Sequence, residues 1–186
     1  MPFDHFDFVA PLFARVGYPS LEKMIEQAAL PTSGRVLDVG GGTGRVANAI
    51  RTHAGDVVIV DPSLGMLREA DQTQLGLACA NSEALPFPNE TFERIIMVDA
   101  LHHVIHQGKT THEMYRVLKP GGRIVIEEPD IRKFGVKLIA VAEKLLLMRS
   151  HFLAPQKIVE LFSFDSAGKS VRAAEGNAWV VIEKPG

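Results

Sequence analysis

Residues 36–47 read VLDVGGGTGRVA, an apolar run holding one acid, then glycine at 40, 41, 42 and 44, then the opening of a helical pattern. A strand that passes through glycines into a helix leaves bare main chain at the strand's end. A ligand can approach there without meeting β-carbons, and free helix N–H groups can face any anionic part of it. The loop is ambiguous by itself. Gly42-Thr43-Gly44-Arg45-Val46-Ala47 also meets the spacing of a dinucleotide-binding turn, and Asp61 stands where such a turn wants a ribose-binding acid. Close helix packing is the plain structural reason for the same glycines.

Outward from that stretch, short β-branched runs alternate with helical patterns. Residues 35–39, 57–60, 77–80, 94–98 and 123–127 read as strands, and 45–53, 63–70, 100–105 and 111–118 as the helices between them. Thr110 with Glu113 forms a capping box for the last of these, and Lys119-Pro120-Gly121-Gly122 stops it. Helical character over residues 3–16 and 21–30 comes first. The tail adds helices over 136–148 and 155–162 and strands over 170–174 and 178–183, with Glu175-Gly176-Asn177 as a tight hairpin. The expectation is an α/β fold: a doubly wound, mostly parallel seven-stranded sheet, helices on both faces, and a C-terminal antiparallel hairpin. Residues 1–186 read as one domain, with 1–30 as cap helices.

Composition narrows the partners. The 186 residues are 46% hydrophobic and 23% charged with a formal net charge of -2, and no Lys/Arg run offers a grip on nucleic acid. Cys79 is the single cysteine, so no internal disulfide forms, and the opening MPFDHFDFVAPLF lacks the build of a secretory signal. A cytoplasmic protein is expected. Residues 136–148, the most apolar stretch, contain Lys137, Glu143 and Lys144 and fall short of the roughly 20 residues that span a bilayer.

Asp38 helps to choose among ligands. A carboxylate two residues ahead of the glycines repels a pyrophosphate, whereas S-adenosylmethionine brings an ammonium and a sulfonium that nearby acids favour. With this the chain resembles the class I S-adenosylmethionine-dependent methyltransferases, closest to the ubiquinone/menaquinone C-methyltransferase branch. Four segments carry the likeness: VLDVGGGTGRVA, VIVDPSLGMLREA, NSEALPFPNETFERIIMVDALHHV and LKPGGRIVIEEP. HFDFVAPLF resembles that branch's N-terminal cap and GNAWVVIEKP its closing strand. The resemblance implies a methyl transfer to a small organic acceptor, an apolar or quinone-like one included. It also implies a donor site with Asp38, Gly40, Gly42 and Gly44 on the methionine side, Asp61 with Pro62 and Met66 at the ribose, Asn81, Ser82 and Glu83 at the adenine, and Val98 closing the fourth strand. S-adenosylhomocysteine would be the product. Two departures stand out: Asn81 replaces a common aspartate, and Phe13 occupies a place where tyrosine is frequent. A nicotinamide-dependent oxidoreductase using the same loop, and a non-catalytic S-adenosylmethionine-binding protein, stay open as alternatives.

Methyl transfer needs an aligned nucleophile and exclusion of water more than it needs a named catalyst. A carbon acid would gain from a base, and His102 in Leu101-His102-His103-Val104-Ile105-His106 is the nominated one. Leu101, Val104 and Ile105 have the spacing of a core-facing stripe, which leaves the histidines at a pocket mouth or as a plain polar surface feature. His102 and His106 share a helical metal-pair spacing without a third ligand, so no metal is expected. Asp99 reads as a helix N-cap or a main-chain contact to methionine. Glu127 and Glu128 at the end of the fifth strand read as paired acids that orient a polar substrate or, the favoured expectation, as one acid in solvent and one in a structural ion pair. Cys79 reads as buried packing. Residues 136–148 read as a helix packed on the sheet or against a second copy in a homodimer, or as a lid for a greasy acceptor.

Overall fold

The computed structural model describes residues 18–70, 75–138, 150–164, 167–174 and 176–186. The helix expected over 3–16, Phe13 included, and nearly all of that expected over 136–148 lie outside the described residues. Seven strands form one sheet: β1 (Arg35–Val39), β2 (Asp56–Asp61), β3 (Gly76–Cys79), β4 (Phe92–Val98), β5 (Leu118–Pro129), β6 (Gly168–Ala174) and β7 (Asn177–Glu183). They stand in the order β3-β2-β1-β4-β5-β7-β6. Strands β1 to β5 pair in parallel, and β7 runs antiparallel to both β5 and β6. The chain winds outward from β1 to β3, then returns to place β4 on the other side of β1. That reversal opens a crevice at the carboxyl ends of β1 and β4, where open α/β sheets collect ligands.

Helices α1 (Leu21–Gln27), α2 (Arg45–Ile50), α3 (Leu64–Glu69), α4 (Gln107–Val117) and α5 (Pro155–Glu160) cover the sheet. Strand alternation sends successive side chains to opposite layers. Val36, Val57, Ile59, Ile96, Val98, Val125 and Trp179 pack with Met24, Val46, Ile50 and Leu67 of α1 to α3. Leu37, Val39, Val58, Val60, Ile95, Met97, Ile124 and Ile126 pack with Met114, Val117, Ile158 and Phe162 on the other face. Asp38, Asp61 and Glu127 fall in the first parity and Glu128 in the second, so each strand delivers its acid to a defined layer.

Three local expectations are corrected. Helix α4 starts at Gln107, after His106, so Thr110 and Glu113 are interior and form no capping box. Instead Thr110 Oγ1 meets Ser82 Oγ at 2.9 Å, and Glu113 accepts from Leu85 N and from Arg116. The helix expected over 100–105 is a short 3-10 turn, Leu101–His103, because Val104 leaves helical geometry with ψ 135°. Cys79 is exposed, since β3 is the edge strand and Cys79 is its last residue. The turn at 119–122 stops α4 as expected, yet it is taken into β5: Leu118 pairs with Phe92, and the register shifts before Arg123 meets Arg94. The hairpin holds, with Ala174 opposite Asn177 and Gly176 at φ +97°. Among the described residues, no helix is long and apolar enough to cross a membrane.

Candidate functional site

The glycine loop follows β1 into the crevice with Gly40, Gly42 and Gly44 at φ +69°, +54° and +79°, a backbone that other residues adopt at a cost. A β-carbon on Gly40 would lie 2.7 Å from that of Ala100, so the loop also presses on the end of β4. The amides of these three glycines are spent inside the protein, on Val60 O, Asp61 Oδ2 and Gly41 O. The loop is therefore a shaped cradle more than a row of free donors, contrary to the expectation from sequence.

Asp61 ends β2 and pins that cradle: Oδ2 accepts from Gly42 N at 3.0 Å and Oδ1 from Ser63 N at 2.8 Å. Ser63 caps α3 through Met66 N, which brings Met66 under the loop, its sulfur 3.8 Å from where a β-carbon on Gly42 would stand. Pro62 is exposed between these groups. Asn81 is exposed after β3; Ser82 bonds Thr110, and Glu83 Oε1 accepts from His106 N at 2.9 Å.

Asp38 lies on the same sheet face as Asp61 but beneath the loop, 1% exposed, and its Oδ2 has no hydrogen-bond partner. Burial pushes its carboxyl up to about 7, against the Ala47 amide and Arg45, which pull it down; the charge of Asp61 adds to the rise. Such a site holds a proton until a cation compensates it.

The ends of β4 and β5 supply a second polar group. Val98 is nearly buried, and Asp99 turns into the left-handed region at φ +51°. Its carboxyl is pushed up to about 6 by partial burial and by Glu128 and Glu127. Asp99 does not cap the following turn. Glu128 does so from across the sheet: Oε1 accepts from Ala100 N and Leu101 N at 3.0 and 2.7 Å, and Oε2 lies 2.6 Å from His102 Nδ1. Neither glutamate is in solvent. Glu127 is 1% exposed, with Asn177 Nδ2 donating to it at 2.6 Å and the Tyr18 hydroxyl at 2.5 Å. Tyr18 is a residue that pattern reading missed: a lone aromatic before α1 carries no periodicity.

His102 is 4% exposed, not at a mouth, with its ring 4.0 Å from that of His103 and stacked at 4.3 Å on Phe152. A 3-10 turn has three residues per turn, so the stripe drawn from helical spacing fails: Ile105 is 62% exposed. An ionised Glu128 beside Nδ1 favours the His102 tautomer that carries its proton on that nitrogen. His103 is driven down to about 4 by burial and by His102.

A family model described as a methyltransferase domain matches residues 37–126. The chain is 41% identical over 115 residues to the ubiquinone/menaquinone biosynthesis C-methyltransferase of Coxiella burnetii, covering 56% of this chain and 46% of that protein. It thus spans about half the length of the curated relatives it matches. An S-adenosylmethionine-dependent methyltransferase structure from Thermotoga maritima superposes with TM-score 0.79 at 21% identity, over 96% of this chain and 98% of that one. The [4+2]-cyclase SpnF superposes with TM-score 0.75 at 16% identity, over 97% and 94%, a likeness of fold alone. The nicotinamide alternative is not favoured by these matches.

Proposed function

We propose, from the match of residues 37–126 to a methyltransferase-domain model and the fold shared with methyltransferase structures, that this chain transfers a methyl group from S-adenosylmethionine to a small organic acceptor. The observation that carries the reading is the acidic carboxyl edge of the sheet. Asp38, Asp61, Asp99, Glu127 and Glu128 gather at the ends of β1, β2, β4 and β5 around the glycine cradle. A pyrophosphate would be repelled there, and a sulfonium with an ammonium would be attracted. The unpartnered Asp38 Oδ2 and the close-fitting glycines suit the same group.

In this reading Asp38, Gly40, Gly42 and Gly44 shape the methionine side, and Asp61 takes the ribose hydroxyls beside Pro62 and Met66. Asn81, Ser82 and Glu83 line the adenine, and Val98 walls the approach to the methyl. Bound donor would supply a methyl group activated for in-line displacement. His102, held by Glu128, would accept the acceptor's proton at Nε2. Likeness to the Coxiella protein supports an apolar, quinone-like acceptor. We retain a single domain over residues 1–186, a homodimer through the segment after Val136, work in the cytoplasm, and no nucleic-acid partner as parts of the proposal.

A thermal-shift panel tests it. S-adenosylmethionine and S-adenosylhomocysteine should raise the melting temperature; stabilisation by NAD(H) in their place would overturn the reading.

A further inference from the structure

One row of side chains crosses the sheet at the end opposite the crevice. Arg94 of β4 stands beside Arg123 of β5, Arg123 opposite Glu183 of β7, and Glu183 opposite Gly168 of β6. Neighbouring strands lie about 4.8 Å apart, so the two arginines start side by side on one face, an arrangement of like charges that costs stability unless an acid divides them. Glu183 is ion-paired with Arg123 through NH2. Arg94 meets no carboxylate within hydrogen-bond reach among the described residues: Nε donates to Ala28 O at 2.6 Å, NH1 to Glu93 O at 2.8 Å and NH2 to Ala29 O at 3.5 Å. Burial and the charge of Arg123 hold Arg94 below the usual arginine pKa, against Glu93 and Glu183. Arg123 NH1 donates to Gln27 O at 3.0 Å, so the end of α1 orients both guanidiniums. A helix C-terminus carries only about half an elementary negative charge, too little to neutralise the two.

The row floors a groove of about 390 Å³ that Gly121 and Lys184 help to line. Lys184 spends its ammonium on Tyr115 O and Leu118 O, at 3.3 and 2.8 Å, which leaves the arginines as the cations presented. Space is open on the Gly121 side, where a β-carbon would meet nothing within 4 Å. Each guanidinium has five N–H donors, more than the contacts above use. We propose that this groove binds the phosphate group of a small ligand, with Arg94 and Arg123 as its two forks. A phosphate monoester presents three acceptor oxygens and meets both forks at once, whereas a carboxylate, with two, matches a single fork. The groove is larger than a bare phosphate and leaves room for an organic remainder. This site stands across the sheet from the crevice and is independent of the methyl-donor reading.

Calorimetric titration of the full chain with inorganic phosphate, at constant ionic strength in chloride, tests the site, with acetate as the carboxylate arm. Phosphate should bind and acetate should not. Arg94→Gln and Arg123→Gln should each weaken phosphate by about tenfold or more. Glu183→Gln, which removes the acid that competes for Arg123, should tighten it severalfold. Melting temperatures check the fold of each variant. Should the arginine variants fail to fold because the end of α1 loses its partners, the exposed Glu183 decides, since a phosphate held elsewhere gains nothing from its loss. A wild-type chain that binds no phosphate would overturn the proposal, as would an affinity unchanged in all three variants. Acetate bound as tightly as phosphate would overturn the assignment of the ligand group.

Discussion

Asp38 is where charge and surroundings conflict most. Its carboxyl, buried and pushed up to about 7 in the folded chain, ionises at 3.8 when free of that environment. Between those values the folded state keeps a proton that the unfolded state releases, so this residue's contribution to stability falls as pH rises through the window and levels off above it. The linkage is worth on the order of 4 kcal/mol. His103, driven down to about 4 from 6.5, works in the opposite direction: its unfolded form binds the extra proton, so stability rises with pH between those values. In Asp38→Asn the Asp99 carboxyl, pushed up to about 6, still opposes the His103 slope. The variant's melting temperature should therefore change little between about pH 4 and 6, while the gap in favour of the variant over wild type widens towards pH 7. Parallel melting curves for variant and wild type would refute the assignment. At the same scale Asp61→Ala should do double damage, since Asp61 both pins Gly42 and faces the expected ribose. Calorimetry should show lost donor affinity together with a stability loss of about 1–3 kcal/mol for the orphaned amides.

The glycine cradle and the 3-10 turn after β4 are the elements on which function turns. Gly40 combines φ +69° with a neighbour 2.7 Å from where its β-carbon would be. Gly40→Ala should therefore cost about 1–3 kcal/mol in chemical denaturation and abolish donor binding. The turn depends on a distant residue, because Glu128 both caps Ala100 and Leu101 and orients His102. If His102 is the base, His102→Ala should lower kcat by roughly 10²–10⁴ while the KM for donor holds. Glu128→Gln should keep the cap and shift the pH profile of kcat. A kcat unchanged in both variants would make the dyad purely structural. The strands and most helix centres were legible in the sequence because apolar periodicity is a local property; β1 was read residue for residue. The turn after β4 was not, since a 3-10 turn and an α-helix share the same apolar residues over so short a span.

At the scale of the molecule, the sheet order makes one crevice from segments far apart in sequence, and ligand binding there should stabilise the whole. Donor product at about 100 times its Kd adds about 2.7 kcal/mol, which for a domain of this size raises the melting temperature by roughly 5–10 °C. A flat response over that range of concentration would count against a formed site in the free protein.

What the sequence by itself determined was the α/β alternation, the seven strands, the hairpin, and the identity of the acids and glycines at the strand ends. Each is carried by neighbours in the chain, through propensity, spacing and turn chemistry. The tertiary structure alone decided that Glu127 is braced by Tyr18 and Asn177, that Glu128 serves His102, that Arg94 stands beside Arg123, and that Asp38 lies sealed beneath the loop. Those pairings follow from strand order and burial, which join residues up to 109 positions apart, and no local pattern encodes which buried group will meet which.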